Sequence, residues 1–522
     1  MKKILIFLLM LCLLPRGGCA ETAETVIALG DEITVNGAVI GEEPADVYLA
    51  RKTETHSDVP AELAGISNRV VTITTAGTYR ISGTGMDVQI AVRAGTEDDV
   101  RLILDGADIT CRTSSAIAVY SARDPRTAGA YAVTLALAEG SENRITGSHT
   151  VRIADTDTKL DGAVCSLVSL GIEGSGSLII DADNEGVEVK FGHMSINGGV
   201  LDIRSGDDPL NVSEDGVDVL TMNDGYVFSA VKADAGGEGD GIDSNGWIIF
   251  NGGTAINLAH PASQDSGIDS DMGSVVNGGV IVGAGNMYDP IDAASGQLFM
   301  MLEFAESTDD LLVVTDVAGT PVFAYDFPHD YMYIAFSTPA LKEGGQYSVY
   351  LGGEISGTAH NGLYTAIDAY TPGRLMMHGE GNAQQRMSGF GGFDPMAGTE
   401  PPRDGGAPAP MGGFTDMLAG IDLNVILQDA DLNEVLKGID LNQLLTGIPI
   451  TQLLTEEQLQ QYLGDVDPAA LDAASRGGRG FGGGFGGGPG GMRGLSSSAE
   501  TATTAFVLTK ESTGFTNVQA AE

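Results

Sequence analysis

Positive charge is scarce in this sequence. Lys and Arg number 27 against 71 Asp and Glu, a formal net charge of −44 over 522 residues. A field of that sign repels nucleic-acid phosphates and anionic lipid, so neither is expected as a partner. It suits a protein that takes up cations, a neutral polymer, or an anionic polymer through bridging cations. Aromatic residues are also few, at 6% with a single Trp, while glycines number 74. That glycine load excludes an ordinary α/β domain. Beyond the N-terminus no apolar run is long enough to span a membrane. The seven histidines show no legible Ser/His or Cys/His constellation, so nucleophilic hydrolysis has no visible basis.

What is present begins with an export signal, residues 1–20. Lys2 and Lys3 precede the apolar run Ile4–Leu14, and Gly18-Cys19-Ala20 places small residues at the cleavage positions. Cleavage after Ala20 fits better than lipid attachment at Cys19, because Arg16 is awkward for a lipoprotein signal. A lipoprotein form through Cys19 stays open. The expected location is secreted or cell-surface.

A short phrase then recurs: an apolar residue, Asn, and a glycine or glycine pair. It reads Ile196-Asn197-Gly198-Gly199, Met222-Asn223-Asp224-Gly225, Phe250-Asn251-Gly252-Gly253 and Val276-Asn277-Gly278-Gly279, with Asn-to-Asn spacings of 26, 28 and 26 residues. Alternating runs flank each copy. A period in the twenties with strand–turn–strand content predicts a right-handed parallel β-helix, an all-β solenoid, over 71–293. Asn and Gly would supply its corners. Residues 21–70 read as an N-terminal strand and cap, and 294–376 as a small C-terminal antiparallel β-domain. Residues 377–502 read as a Gly-rich, partly helical insert. Within it, Asp422-Leu423-Asn424, Asp431-Leu432-Asn433 and Asp440-Leu441-Asn442 recur every nine residues, with Asp placed to cap short helical turns. Residues 503–522 form a returning strand and tail. Cys111 and Cys165 lie 54 residues apart, about two repeats. Strands stack roughly 4.8 Å apart, so the pair falls beyond disulfide reach of about 7 Å, and two buried free thiols are expected.

A second phrase follows each repeat: an acid, Gly or Pro, an aliphatic, then an acid or Asn. Its copies are Glu185-Gly186-Val187-Glu188, Asp208-Pro209-Leu210-Asn211, Asp240-Gly241-Ile242-Asp243 and Asp289-Pro290-Ile291-Asp292. Ser266-Gly267-Ile268-Asp269, followed by Asp271, has Ser in the first place. Stacking would set these carboxylates about 4.8 Å apart, where unit charges repel by about 0.9 kcal/mol in water and about 3.5 kcal/mol at an effective dielectric of 20. A cation between rungs removes that cost, and hard oxygen ligands in loops favour Ca2+. The candidate ligands are Glu185, Glu188, Asp208, Asn211, Asp240, Asp243, Asp269, Asp271, Asp289 and Asp292. The alternative is that these acids are solvated corner residues.

The entry run Val71-Thr72-Ile73-Thr74-Thr75-Ala76-Gly77-Thr78-Tyr79-Arg80-Ile81-Ser82-Gly83, the stretch Val100–Asp108, and Asp240-Gly241-Ile242-Asp243-Ser244-Asn245-Gly246 with Asn251-Gly252-Gly253-Thr254 resemble one family. It is the calcium-binding, carbohydrate-binding β-helix proteins secreted by biomass-degrading anaerobic bacteria, which are pectate-lyase-like in fold. The resemblance covers roughly 70–376 and the last strand. It implies a non-catalytic protein that binds cellulose or polygalacturonate. The nine-residue repeat departs from that family.

By register, Met194 with Ile248 and Ile196 with Phe250 should point inward, leaving Trp247, Tyr226 and Phe228 outward as carbohydrate-binding rings. Trp247 could equally pack beneath a corner insert or the C-terminal strands. A polysaccharide lyase on uronate polymers would need a basic residue to take the α-proton, and Lys190, Arg204 and Lys232 are the candidates, no two of which recur in register with the acidic column. A surface adhesin or structural protein without a sugar ligand is the other alternative. The expected partner is a polysaccharide.

Overall fold

The computed structural model describes residues 24–53, 59–147, 149–153, 156, 158–216, 219–378, 503–510 and 512–521. Period-two alternation drives the strands. Leu170, Met194, Leu220 and Ile248 are all buried, and each is the register partner of the next across parallel pairs. One residue on, Gly171, Ser195, Thr221 and Ile249 take the opposite face. A second ladder repeats the pattern with Leu178, Leu201, Val227, Ala255 and Ile281. These ladders belong to one 23-stranded sheet. A nine-stranded sheet lies opposite. Seven parallel pairings run through it, and Val47–Thr53 closes one edge antiparallel to Ser67–Ile73. The inward rows of both sheets fill one continuous apolar core from Ile27 to Met301.

The Asn-Gly corners have a two-part basis. Gly225, Gly253 and Gly279 sit at φ of 101°, 80° and 94°, left-handed backbone that glycine adopts without penalty. A Cβ on Gly253 would come 2.7 Å from the Gly225 carbonyl oxygen, and one on Gly279 the same distance from that of Gly253. The asparagines form a side-chain ladder: Asn223 Nδ2 donates to Asn197 Oδ1 at 2.7 Å, Asn251 to Asn223 at 2.8 Å, and Asn277 to Asn251 at 2.9 Å.

The expected fold class needs correction. The structure does not show the expected right-handed parallel β-helix solenoid with a separate C-terminal antiparallel β-domain. It is one all-β body whose parallel strands enclose a single core, with further strands hydrogen-bonded directly onto it. Tyr331–Ser337 pairs antiparallel with both Val280–Gly285 and Phe299–Thr308, so the C-terminal strands continue the same 23-stranded sheet. The physical reason is the outward row Phe228, Ile256 and Val282. It is apolar, and it is buried in a second core with Leu302, Phe304, Tyr331 and Phe336. The returning segment Gly514–Ala520 runs parallel to Phe299–Thr308, and Phe506–Leu508 pairs with Gly345–His360. No helix occurs among the described residues. The nine-residue repeat and the helical part of the insert lie outside them. Cys111 and Cys165 are buried and unbridged.

Candidate functional site

Four of the five acidic phrases lie on the nine-stranded sheet, along short strands whose alternate residues feed the core, and the fifth, Asp289–Asp292, joins only through an isolated bridge from Ile291 to Ser274. Val187, Leu210, Ile242 and Ile268 point inward and are buried. Register then sets Glu188, Asn211, Asp243 and Asp269 in one row on the other side. Three residues earlier in each copy stand Glu185, Asp208, Asp240 and Ser266, whose main chain ties the units together. Asp240 N donates to Asp208 Oδ1 at 2.7 Å, and Ser266 N to Asp240 Oδ1 at 2.6 Å. Asn211 Nδ2 reaches Glu185 Oε1 and Asp208 Oδ2, both at 3.3 Å. Ser213 Oγ donates to Glu188 Oε1 at 3.0 Å.

Carboxylates converge at two places, each with ligand atoms within 4.8 Å of one another: Asp161, Glu185 and Glu188, and then Asp240, Asp243 and Asp269. The two differ in what neutralises them. At the first, the Lys190 ammonium bridges Asp161 Oδ2 at 2.8 Å and the fully buried Glu188. Burial pulls that ammonium down, but Glu188, Glu185 and Asp161 together hold it above the ordinary lysine range. At the second, no Lys or Arg pairs with the three acids among the described residues. Burial there raises each carboxyl and neighbouring acids raise it further. Asp240 is pushed up to about 10 by burial, Asp269 and Asp208. Asp243 reaches about 7 through burial, Asp269 and Asp271. Asp289 reaches about 8 through burial and Asp269, while Asp269 itself is raised by burial and Asp271. Glu185 and Asp208 are raised well above the usual carboxylate range, first by burial and then by Glu188 and Asp243 respectively. Glu185 Oε2 and Asp289 Oδ2 are buried without any hydrogen-bond partner.

These features fit a divalent cation in the Asp240–Asp243–Asp269 stretch. The donors are hard oxygens, they are half-buried with no Lys or Arg partner among the described residues, and Asp289 beside them has an orphaned oxygen. Two sequence candidates stand apart. Asp271 is exposed, and Asp292 turns its carboxylate to its own chain, accepting from Ala294 N at 2.7 Å. Sequence reasoning missed Asp161 and the neutralising role of Lys190. The signal for Asp161 was present in Asp161-Gly162-Ala163-Val164, another acid–Gly–aliphatic phrase.

The three aromatic candidates separate. Trp247 is half-buried on the row of Val219 and Gly273. Its ring lies across Gly273, where a Cβ would be 3.0 Å from Cζ3. Tyr226 and Phe228 do face away from the main core, but the C-terminal strands cover them. The Tyr226 hydroxyl is 2.6 Å from His360 Nδ1 and accepts from Asn361 Nδ2 at 3.2 Å, with the His360 ring edge-on. Phe228 is 6% exposed and packs in the second core. Of the basic candidates, Arg204 pairs with Asp202 at 3.0 Å and Lys232 with Asp181.

Comparison with known proteins gives three findings. Residues 67–294 match a family described as carbohydrate-binding domain-containing protein. A protein of that description from Acetivibrio thermocellus is 32% identical over 142 residues, 27% of this chain and 46% of the relative. The chain thus spans less than half the length of the curated relative it matches. A solved structure described as the polysaccharide lyase-like protein from C. thermocellum, a gadolinium derivative, is 23% identical. It aligns over 49% of this chain and 89% of its own, with a TM-score of 0.36.

Proposed function

We propose that this chain is an exported polysaccharide-binding protein that holds Ca2+ in the Asp208–Asp289 carboxylate rows and binds sugar without breaking it. The observation that carries the reading is Trp247. Its partly open ring follows by four residues Asp243, a carboxylate with no Lys or Arg partner among the described residues, and lies within the stretch that matches a carbohydrate-binding family. A flat indole can stack on the apolar face of a sugar ring, and a cation at Asp240, Asp243 and Asp269 would fix the backbone that presents it. Secretion or surface display follows from residues 1–20. The intact mass of the exported form separates cleavage after Ala20 from a lipid on Cys19.

The absence of cleavage rests on the bases. Lys190 is held protonated by three acids, and a protonated ammonium cannot take an α-proton. Affinity gels cast with polygalacturonate, xylan or a soluble cellulose derivative, with Ca2+ and with EDTA, test the proposal. Retardation that weakens in EDTA, with flat absorbance at 235 nm, is expected. Rising absorbance on polygalacturonate would make the protein a lyase. Free migration in all gels would leave an adhesin without a sugar ligand.

A further inference from the structure

Two of the scarce positive charges meet at a cavity away from the acidic rows. Strand Met194–Ser205 carries Arg204, and Lys232 directly follows strand Val219–Val231. Both line a cavity of about 100 Å3 together with Phe228, Leu258, Tyr331 and His329. The loop bearing His329 comes from the C-terminal strands, so the cavity forms where their cover of the parallel face ends. Phe228 and Leu258 supply an apolar floor, and the Arg204 guanidinium sits 4.9 Å above the Phe228 ring.

The two cationic heads are oriented but not saturated. Arg204 spends Nε on Asp202, which leaves its four terminal N–H donors, a fork matched to a carboxylate. Lys232 pairs with Asp181, and an ammonium has three donors. The side chains of Arg204 and Asp181 are more than half exposed, at 52% and 57%, so a ligand can share or replace these pairs at little cost. In a molecule of net charge −44, an acidic polymer can be gripped without metal only where such heads converge. Phe228 holds the guanidinium in place from below.

We propose that this cavity is a calcium-independent subsite for the carboxylate of an acidic sugar residue, with Arg204 and Lys232 as its anion clamp. The proposal rests on the polysaccharide-binding reading above and gives it an acidic ligand and a second contact point. The test is calorimetric titration of the full-length protein in EDTA with trigalacturonate, neutral galactotriose and inorganic phosphate. The variants are Arg204→Gln combined with Lys232→Gln, Lys232→Arg, and Asp243→Asn combined with Asp269→Asn. Trigalacturonate should bind in EDTA at least tenfold more tightly than galactotriose. The Arg204/Lys232 double variant should lose at least tenfold while keeping its unfolding midpoint, and Lys232→Arg should retain binding. Binding that requires Ca2+ and is lost only in the Asp243/Asp269 variant would overturn the subsite and leave the proposed function standing. Phosphate binding as tight as trigalacturonate would overturn the sugar assignment. Failure here together with free migration in every affinity gel would remove both readings.

Discussion

Lys190 shows how one side chain changes the character of an acidic row. Its ammonium occupies the position between Asp161 and Glu188 that a cation takes in a carboxylate ladder, and Glu188 is fully buried. Removing one partner of such a pair leaves an uncompensated buried charge, which costs about 3–5 kcal/mol. Lys190→Met should therefore lower stability by about that amount in urea unfolding, and adding Glu188→Gln should recover most of it. Equal stability of the single variant and the parent would mean the pair contributes nothing. Trp247 permits a second residue-scale measurement, because it is the chain's only Trp and its emission reports on that ring alone. Trp247→Ala should reduce polysaccharide retention at least tenfold, with the unfolding midpoint kept. In the parent, emission should shift to the blue on adding the polymer that is retained. An unshifted spectrum in the presence of a retained polymer would place sugar contact elsewhere.

The acidic strands respond to pH as a set. Asp243 and Asp289 titrate near 7 and 8 in the folded chain against an ordinary 3.8. Between about pH 4 and pH 8 the folded state thus keeps protons that the unfolded state has released. Stability falls with rising pH wherever the folded state binds more protons. In EDTA the thermal midpoint should drop as pH rises from 5 to 8. Excess Ca2+ should flatten or reverse that trend, since the cation replaces the protons and releases them on binding. A metal-free midpoint highest at pH 8 would contradict this. The corner elements were half legible. The Asn period of 26, 28 and 26 residues stood out in the sequence, but the side-chain ladder behind it did not, because an exposed Asn in a turn reads equally well as a local backbone partner. Asn251→Ala breaks two ladder bonds, to Asn223 and from Asn277. At about 0.5–1.5 kcal/mol for each hydrogen bond, it should cost roughly 1–3 kcal/mol, measured by urea unfolding against an exposed Asn→Ala control.

At the scale of the whole molecule, the inward rows could be read from alternation alone. Leu170, Met194, Leu220 and Ile248 fall where period two puts them. Phe228, on the outward row with Ile256 and Val282, misled, because an apolar residue on an outer face serves a sugar surface and a buried interface equally well in sequence. Only three-dimensional pairing shows the strands from Phe299 onward covering that row and making one sheet with it. That continuity has a thermodynamic consequence. Phe515 is 3% exposed and packs 5.1 Å from the Phe506 ring, so Phe515→Ala should cost about 3–5 kcal/mol. If the C-terminal strands are part of one cooperative body, that loss moves a single transition. Tryptophan emission from Trp247, which lies in the parallel part, should then fall in step with far-UV circular dichroism during heating, both shifted down together. Were the strands a separate domain, the variant would split the curve. Circular dichroism would show an early transition while the Trp247 signal kept the parent midpoint, because the 23-stranded sheet would have opened at Val280–Gly285 without disturbing the core behind it.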